Sequence, residues 1–357
     1  MGLNVLHINS HTTWRGGEQQ VDSIFNGFYK NIQTFLFCPE NSVLAERNEQ
    51  FKERVFTYKK HFGLDVPAAF RLKKISKEKS IDLIHLHDSH AINTYLAAVF
   101  FGLKTPCVIH RRVSYPVTSV WKYNHKNILK IICISQEVKK KMLKVVPENK
   151  LTVIYSGIDL KKYRKIKSDD SNSTNGLRKE LAITPEKKVV GIVTSIEQEK
   201  NVEEFAEIGR QLAQHRKEVE CVVIGGGSQL KTISQQYPFI HFTGFKNTVP
   251  ELLQDMDIFL FTSHSEGLGT AVLEAMAAEV TVVCRNFPVA LEIIQDNNSG
   301  YIYSTVEDAV QKVNILLDDS EKRLEFSAAA LQMVQQFDVT LMNQQIENLY
   351  SSFHLKQ

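Results

Sequence analysis

Cysteine is scarce in this sequence, and long hydrophobic runs are absent. Its 357 residues include five cysteines, which are widely spaced and form no Cys-x-x-Cys pair. Because disulfide frameworks and zinc sites need paired or clustered cysteines, we expect buried, reduced thiols in a cytoplasmic protein. The longest apolar stretch, residues 95–103, is far shorter than the roughly 20 residues that span a bilayer. The first residues have neither a basic start nor a long apolar core, so we expect no secretory signal.

Two incomplete motifs exclude further classes of protein. The stretch GGGSQL at 225–230 begins like the G-x-G-x-x-G fingerprint of dinucleotide-binding proteins, but its last position is Leu230. Asp255 and Asp257 resemble an Asp-x-Asp metal motif, yet they precede a predicted buried strand and so lie at its amino end. We therefore expect no nicotinamide cofactor and no metal.

Charge is distributed unevenly along the chain. Residues 1–160 contain 23 Lys and Arg against 13 Asp and Glu, a balance of +10. The remaining residues contain 20 against 27, a balance of −7. A chain of this length is long for one hydrophobic core, and halves of opposite sign indicate two domains with different partners.

Short apolar runs alternate with helical patterns in both halves, which predicts parallel β-sheets built from βαβ units. The fold class is therefore α/β, with two tandem Rossmann-like domains whose ligand-binding edges face one another across a cleft. We place the domains at 1–166 and 187–357, with a polar linker at 167–186 and a last helix able to pack back on the first domain. The predicted strands lie at 4–10, 34–38, 82–87, 106–110, 131–135, 151–155, 188–195, 221–227, 239–245, 257–263, 280–284 and 300–304.

The stretch HSEGLGTAVLEAMAAEV at 264–280 joins a predicted strand to a helix. Free amide groups at a helix N-terminus favour an anion, and glycine lets a phosphate come close. Glu266 and Glu274 flank this junction, where their carboxylates could accept hydrogen bonds from the sugar and ribose hydroxyls of a nucleoside diphosphate sugar. The amides of the predicted diphosphate cradle belong to Gly267, Leu268, Gly269 and Thr270.

Glu266 and Glu274 with seven residues between them resemble the E-x7-E motif of retaining family 4 glycosyltransferases, which have the GT-B fold. The resemblance covers nearly the whole chain, because further motifs occur in the order typical of that family. It is closest to a bacterial subgroup that builds cell-envelope glycans. The other matching stretches are WRGGEQQ at 14–20, VIHRRVSYPV at 108–117, VIYSGID at 153–159, VTSIEQEKN at 193–201, VIGGGSQL at 223–230 and the run at 242–263.

The resemblance implies roles for matching positions in the second half. Glu266 would contact donor-sugar hydroxyls beside the reacting carbon, and Glu274 would bind the ribose. Lys200 would neutralise the departing diphosphate, where electrostatic stabilisation is largest. The family usually has an arginine five residues before this lysine, where this sequence has Ser195. Either Ser195 and backbone amides suffice, or another basic residue takes part.

The resemblance also implies roles in the first half. Gly16 and Gly17 match a glycine pair whose loop approaches the donor phosphate and the acceptor. His110 matches a histidine near the acceptor and the donor sugar. Arg111 and Arg112 follow it directly, and we weigh acceptor or phosphate binding against interdomain salt bridges for both.

A group of nearby histidines has several interpretations. His85 and His87 share one face of a predicted strand, and His90 follows in the next segment. Histidines at such spacing can bind a metal, but no cysteine or carboxylate pattern accompanies them. An acceptor-side role and a structural role are the alternatives.

Together these features predict a glycosyltransferase that moves a sugar from a nucleoside diphosphate sugar to a glycan or lipid-linked acceptor. The resemblance implies that the transfer retains configuration and that the pathway is that of cell-envelope polysaccharide or lipopolysaccharide. The alternatives are a nucleotide-sugar-binding protein without turnover, for which Ser195 is the support, and a nucleotide-sugar isomerase or hydrolase. The latter would need a further pair of acid–base carboxylates.

An anionic membrane surface is a candidate partner, whereas nucleic acid is not. The segment SQEVKKKMLKVV at 135–146 predicts a helix capped by Ser135, with Lys140, Lys141 and Lys144 on one side. Such a lysine face is usually only solvated. With the basic balance of the first half, it could instead hold that domain on the inner face of the cytoplasmic membrane.

Overall fold

The computed structural model describes residues 2–27, 29–61, 65–164 and 176–353. The chain divides into two compact units. The first consists of Met1–Gly157 together with Val339–Gln357, and the second consists of Ile158–Asp338.

All strands predicted from the sequence are present, and each unit has a parallel sheet. The first sheet has the order β3-β2-β1-β4-β5-β6-β7, and the second has the order β10-β9-β8-β11-β12-β13. The strands are β1 (Leu3–Ile8), β2 (Ile32–Pro39), β3 (Val55–Tyr58), β4 (Leu83–Leu86), β5 (Cys107–Arg111), β6 (Ile128–Cys133), β7 (Leu151–Val153), β8 (Lys188–Val193), β9 (Val219–Ile224), β10 (Ile240–Gly244), β11 (Ile258–Phe261), β12 (Thr281–Arg285) and β13 (Tyr301–Tyr303).

Helices connect the strands and cover the sheets. The helix predicted at 135–146 begins after Ser135, as expected, and the Oγ of Ser135 accepts a hydrogen bond from Val138 N at 3.2 Å. The helices are α1 (Gly16–Phe25), α2 (Val43–Arg47), α3 (Val66–Glu78), α4 (Ser89–Phe100), α5 (Gln136–Met142), α6 (Leu160–Tyr163), α7 (Leu177–Glu180), α8 (Val202–His215), α9 (Leu230–Gln236), α10 (Val249–Leu253), α11 (Thr270–Ala277), α12 (Ala290–Ile293), α13 (Val306–Asp318), α14 (Ser320–Met333) and α15 (Val339–Ser351).

Strand β3 was not predicted from the sequence. It lies at the edge of the first sheet and pairs only with β2 among the described residues. Three of its four side chains are half-buried. An edge strand needs no continuous apolar run, so its short Val-Phe-Thr-Tyr sequence gives a weak signal.

The last helix completes the core of the first unit. Met342 and Tyr350 on α15 are buried against Val5, Leu83 and Val108 from three neighbouring strands. Burial of large apolar side chains of this kind contributes roughly 1.5–3 kcal/mol each. Residues 339–351 are therefore part of the first unit although they end the chain.

The two units meet in sequence at Gly157 and Ile158, nine residues before the boundary expected from composition. Ile158 N donates to Phe337 O at 2.8 Å, and Leu160 and Tyr163 of α6 are buried in the second unit. Because these apolar side chains pack there, the chain joins the second unit before the polar segment begins. Residues 167–175 of the predicted linker lie outside the described residues.

Each sheet has one point where the strand order reverses direction along the chain. In the first unit this point lies between β1 and β4, and in the second it lies between β8 and β11. Ligands of open α/β sheets bind at the carboxyl ends of the strands at such points. Among the described residues, no helix is both long and apolar enough to cross a membrane.

Candidate active site

Lys200 and Glu266 form an ion pair at the switch point of the second unit. Lys200 follows β8 and Glu266 follows β11, the two strands that flank this point. Lys200 Nζ lies 2.7 Å from Glu266 Oε1, and the side chains are 21% and 17% exposed. Thr262 Oγ1 also donates to the carbonyl of Lys200 at 3.2 Å, which holds the two loops together. Residues 66 positions apart are thus brought into one site.

The loop after Glu266 leads into α11 and leaves amide groups available. Gly269 is the N-cap of this helix and has φ of +89°, a left-handed conformation that glycine adopts without strain. The N–H groups of residues 267–270 make no hydrogen bond within the described part of the chain. Unpaired amides at a helix start, beside the ammonium of Lys200, form a site suited to a phosphate.

Glu274 lies one turn into α11 and is half-buried. Burial raises the pKa of its carboxyl to about 7, and a hydrogen bond with the Tyr163 hydroxyl opposes that shift. The carboxyl group is therefore close to half-protonated near neutral pH. A ligand hydroxyl that donates to it would favour the charged form.

Ser195 follows β8, where the resemblance would place an arginine. It is half-buried, and its carbonyl accepts the Thr194 hydroxyl at 3.3 Å. The glycines at 225–227 pack closely against this segment, since a Cβ on Gly225 would lie 1.8 Å from Thr194 O. The glycines at 225–227 thus allow their backbone to approach the segment that carries Thr194 and Ser195.

Sequence reasoning missed a polar network at the carboxyl ends of β12 and β13. Arg285 is paired with Glu204, which also accepts a hydrogen bond from the buried Tyr303 hydroxyl at 2.7 Å. Asn201, next to Lys200, donates to the same carboxylate at 2.9 Å. Arg285 and Tyr303 lie 81 and 99 positions from Glu204, so no local sequence pattern indicates this network.

Asp257 precedes β11 at its amino end, as the sequence pattern predicts. It forms ion pairs with Arg178 at 2.9 Å and Lys188 at 3.2 Å, and it accepts the amide of Val189. These contacts give the carboxylate a structural role.

In the first unit, four histidines lie together near the carboxyl ends of the strands. His110 at the end of β5 stacks on His85 of β4 with ring centres 5.3 Å apart, and His87 lies beside them. His7 of β1 joins this group, with its ring centre 5.3 Å from that of His85. All four are buried. His90, grouped with them from the sequence, is instead exposed on α4.

His7 was not singled out from the sequence, because one histidine inside an apolar strand gives little signal. Only the pairing of β1 with β4, which sets His7 opposite His85, shows its neighbours. Three of the histidines, His7, His85 and His87, have ring nitrogens within 4.8 Å of one another, close enough to be considered as metal ligands.

The two arginines after β5 have different surroundings. Arg111 donates to the Tyr123 hydroxyl at 3.2 Å and to the Tyr115 carbonyl at 2.6 Å, which holds the following loop in place. Arg112 turns toward the histidines and donates to His87 Nδ1 at 2.9 Å. Gly16 and Gly17 begin α1, and a Cβ on Gly17 would lie 4.0 Å from Arg112 Cδ.

Comparisons with known proteins find glycosyltransferases. The family profile "Glycosyltransferase Family 4" matches residues 14–162, and "Glycosyl transferases group 1" matches residues 173–333. An α-1,3-N-acetylgalactosaminyltransferase of Campylobacter jejuni acting on diacetylbacillosaminyl-diphospho-undecaprenol is 28% identical over 67% of this chain and 64% of that protein. An Escherichia coli UDP-Gal:α-D-GlcNAc-diphosphoundecaprenol α-1,3-galactosyltransferase is 23% identical over 88% of each chain.

The fold is also found among solved structures. The Anabaena protein HepE, determined with UDP and glucose, matches with a TM-score of 0.82 and 20% identity over 98% of this chain and all of that one. The two profiles together match most of the sequence, and the chain belongs to glycosyltransferase family 4. It is a glycosyltransferase of the GT-B fold, which confirms the class predicted from the sequence.

Proposed function

We propose that this enzyme transfers a sugar from a uridine diphosphate sugar to a lipid-linked glycan acceptor, with retention of configuration and without a metal ion. The observation that carries the proposal is the pairing of Lys200 with Glu266 beside the unpaired amides of residues 267–270. A cation and free amides can bind a diphosphate, and a neighbouring carboxylate can bind sugar hydroxyls.

The chemistry follows from how charge develops in the reaction. As the bond between the sugar and the diphosphate breaks, negative charge grows on the leaving oxygen. Lys200 and the amides of Gly267, Leu268, Gly269 and Thr270 stabilise that charge, and such stabilisation by preorganised donors is commonly the largest catalytic contribution. Lys200 takes the place that a metal ion would have. Ser195 adds a hydroxyl near the same loop.

The two glutamates orient the donor on either side of its diphosphate. Glu266 accepts hydrogen bonds from the sugar hydroxyls, and Glu274 accepts them from the ribose. The acceptor hydroxyl attacks the anomeric carbon from the side on which the diphosphate leaves. Its proton passes to the leaving phosphate oxygen, so no separate protein base is needed.

The first unit supplies the remaining contacts. His110 binds the sugar or the acceptor hydroxyl, and the loop that carries Gly16 and Gly17 approaches the phosphate. Arg112 contributes a positive charge to this unit. Arg111 acts mainly through the loop that it holds, because Tyr123 and Tyr115 already accept its hydrogen bonds.

The names of relatives support the choice of substrates. The E. coli relative is named for UDP-galactose, and HepE was determined with UDP. Both curated relatives above are named for acceptors joined to diphospho-undecaprenol. A uridine diphosphate sugar and a polyprenyl diphosphate-linked acceptor of the cell envelope are therefore the substrates that we propose.

A screen and a turnover assay test this function. Thermal stability is measured with UDP, GDP, ADP and CMP sugars, because a ligand that binds the folded protein stabilises it by an amount that grows with the ligand concentration relative to the dissociation constant. Release of nucleotide is then measured with and without a polyprenyl diphosphate-linked glycan, in the presence of EDTA. Acceptor-dependent release that survives EDTA supports the proposal. Acceptor-independent release indicates a hydrolase, and binding without release indicates a binding protein.

We also propose that the first unit docks on an anionic membrane. Lys140 and Lys144 are exposed near the C-terminal end of α5. The side chain of Asn124 donates to Val145 O at 2.9 Å, which places the loop carrying Trp121 next to this region. Trp121 is 66% exposed. Exposed lysines beside an exposed aromatic side chain suit an interface with anionic lipids.

A further inference from the structure

The buried histidines and Arg112 form a chain of hydrogen bonds whose direction is set at one end. An arginine side chain has only donors, so Arg112 Nη2 donates to His87 Nδ1 at 2.9 Å. His87 Nε2 lies 3.0 Å from His7 Nδ1. Burial and the charge of Arg112 lower the pKa of both imidazoles, so each carries one proton.

The protons of this chain can then be assigned. Since His87 accepts at Nδ1, its proton is on Nε2 and is donated to His7 Nδ1. His7 in turn carries its proton on Nε2. That atom is buried and has no hydrogen-bond partner in the described part of the chain. The chain therefore ends in a donor that no described group accepts.

More unpaired donors lie in the same group. Arg112 Nε and Nη1 are shielded from solvent and have no partner among the described residues, and the same is true of both ring nitrogens of His110. A neutral imidazole has one donor nitrogen, so His110 adds a further N–H. A buried donor without a partner destabilises the folded protein, because it has lost its hydrogen bonds to water. Several together need a ligand or ordered water that accepts hydrogen bonds.

The charge of Arg112 is also uncompensated by a direct partner. Burial lowers the pKa of its guanidinium to about 9, and the carboxylate of Glu18 acts in the opposite sense from a distance. Glu18 accepts the amide of Arg15 at 3.1 Å. Asp88 accepts from Ser10 and from the amides of His90 and Ala91. No ion pair within 4 Å joins Arg112 to a described carboxylate.

We infer that the Arg112 guanidinium and the N–H groups of His7 and His110 form a binding site for a phosphoryl group in the first unit. The charged oxygens of a phosphoryl group accept hydrogen bonds and donate none. Their negative charge would also balance the positive charge of Arg112, which has no carboxylate partner in the described part of the chain. A metal ion fits less well, although three of the histidines are close enough. Its ligands must present lone pairs, whereas both nitrogens of His87 are engaged and His7 carries a proton on its free nitrogen.

Two phosphates could occupy this site, that of the lipid-linked acceptor and that of the nucleotide donor. Assigning it to a transferase substrate rests on the proposed function, but the anion site itself does not. Pyrophosphate, farnesyl diphosphate, UDP and Zn²⁺ are therefore each titrated into the whole protein, alone and in pairs, with thermal stability and calorimetry as readouts. Farnesyl diphosphate supplies a lipid-linked diphosphate without the glycan.

The expected results distinguish the sources. Pyrophosphate and farnesyl diphosphate raise the melting temperature of the wild type. If their effect adds to that of UDP, the site takes the acceptor phosphate. If UDP displaces the part of their binding that depends on Arg112, the site takes the donor phosphate, whereas displacement that does not depend on Arg112 reflects the amides of residues 267–270. Zn²⁺ that stabilises the protein more than pyrophosphate, with dependence on His7 and His87, would overturn the inference in favour of a metal site.

Variants locate the effect. Arg112→Met removes the charge and the donors, and we expect the dissociation constant of pyrophosphate to rise by about tenfold or more. Its melting temperature without ligand stays equal or rises, because an uncompensated buried charge is removed. His7→Phe weakens binding by a smaller factor, and the matched control His90→Gln alters an exposed histidine of α4 and leaves binding unchanged.

Unchanged pyrophosphate binding in Arg112→Met would sink the inference, and so would a wild type that binds UDP and transfers sugar but does not respond to pyrophosphate. Failure of the proposed function gives a different pattern. In that case UDP does not bind, while pyrophosphate binding still depends on Arg112.

Discussion

Lys200 and Glu266 form an ion pair, with Nζ and Oε1 2.7 Å apart. Each belongs to a loop that follows a different strand at the point where the second sheet reverses its order. In the proposed reaction Lys200 turns to the diphosphate and Glu266 to the sugar. The pair thus holds both side chains near their working positions before the donor arrives.

Lys200→Ala is expected to lower kcat by about 100-fold or more, because it removes a cation that acts mainly in the transition state. The melting temperature should change little, since a partly exposed ion pair contributes only about 0–1 kcal/mol. Lys246→Ala is a matched control, because Lys246 forms a comparable pair with Glu180 at 2.5 Å. Near-normal turnover of Lys200→Ala in a steady-state assay would remove this residue from the mechanism.

The two glutamates should separate binding from turnover. Glu274→Ala is expected to weaken binding of UDP itself, because it removes an acceptor for the ribose hydroxyls. Glu266→Ala should bind UDP nearly as the wild type does and mainly lose kcat, because its partner is the sugar. Calorimetry with UDP and steady-state kinetics measure both effects. Equal affinity of the two variants for UDP would show that the roles are wrongly assigned.

Binding of UDP should release protons near neutral pH. The pKa of Glu274 is raised by burial to about 7 in the free protein, and ribose hydroxyls that donate to the carboxylate lower it in the complex. Affinity should therefore fall as pH drops below about 7, by up to tenfold per pH unit. Calorimetry in buffers of different ionisation enthalpy counts the protons. Glu274→Gln should abolish this release, whereas Glu266→Gln should retain it.

The first unit should lose stability in mild acid. Burial lowers the pKa of His7 to about 3 and holds those of His85, His87 and His110 well below 6.5. Between those values and 6.5 the unfolded chain binds protons that the folded chain does not. The free energy of unfolding then falls as pH falls, by up to about 1.4 kcal/mol per pH unit for each histidine.

Tryptophan fluorescence can follow this loss selectively. The chain has two tryptophans, Trp14 and Trp121, and both belong to the first unit. Glu274 has the opposite effect on stability, since its raised pKa makes the folded form bind the extra proton, but it belongs to the second unit. Urea midpoints read from tryptophan emission should fall between pH 7.5 and 5.5. A midpoint that is constant over this range contradicts the prediction.

Membrane docking should depend on salt and on a small surface. The wild type should sediment with anionic vesicles at low salt. It should stay in the supernatant at high salt or with neutral vesicles. Changing Lys140, Lys141 and Lys144 to Glu should leave the protein in the supernatant. Lys141 pairs with Glu137 at 3.5 Å, so Lys140 and Lys144 should account for most of the effect.

A control variant with the same change in net charge at another surface tests whether docking depends on the position of the lysines or only on the net charge. Lys74 and Lys77 are exposed on α3, and changing both to Glu alters the net charge as much as changing Lys140 and Lys144 does. That control should still sediment with anionic vesicles. If the wild type and the triple variant both stay in the supernatant, the docking hypothesis is wrong.

Much of the fold could be predicted from local patterns. Runs such as residues 188–195 and 280–284 are apolar because strands of a parallel sheet are covered on both faces, and this requirement is visible in the sequence. Ser135 could also be identified as a helix cap from the sequence, because capping depends on residues only a few positions apart. Strand β3 was not predicted, because an edge strand does not need the continuous apolar run that marks a buried strand.

The candidate site was predicted only in part. Glu266, Glu274 and the glycines between them lie within one short stretch, so their spacing carried the information. The contact of Lys200 with Glu266 joins residues 66 positions apart, and only the pairing of β8 with β11 brings their loops together. The network of Arg285, Glu204 and Tyr303 was hidden for the same reason.

The histidine group shows most clearly what tertiary structure decided. By itself the sequence determined that His85 and His87 alternate on one strand and that His110 ends another. Parallel pairing of β1, β4 and β5 then set His7 opposite His85 and brought His110 beside His85 and His87. The close approach of Arg112 to His87 fixed which nitrogens carry protons. Side-chain alternation is a local property of the backbone, whereas neighbours across a sheet depend on register. Register is settled only when both faces of the sheet are packed.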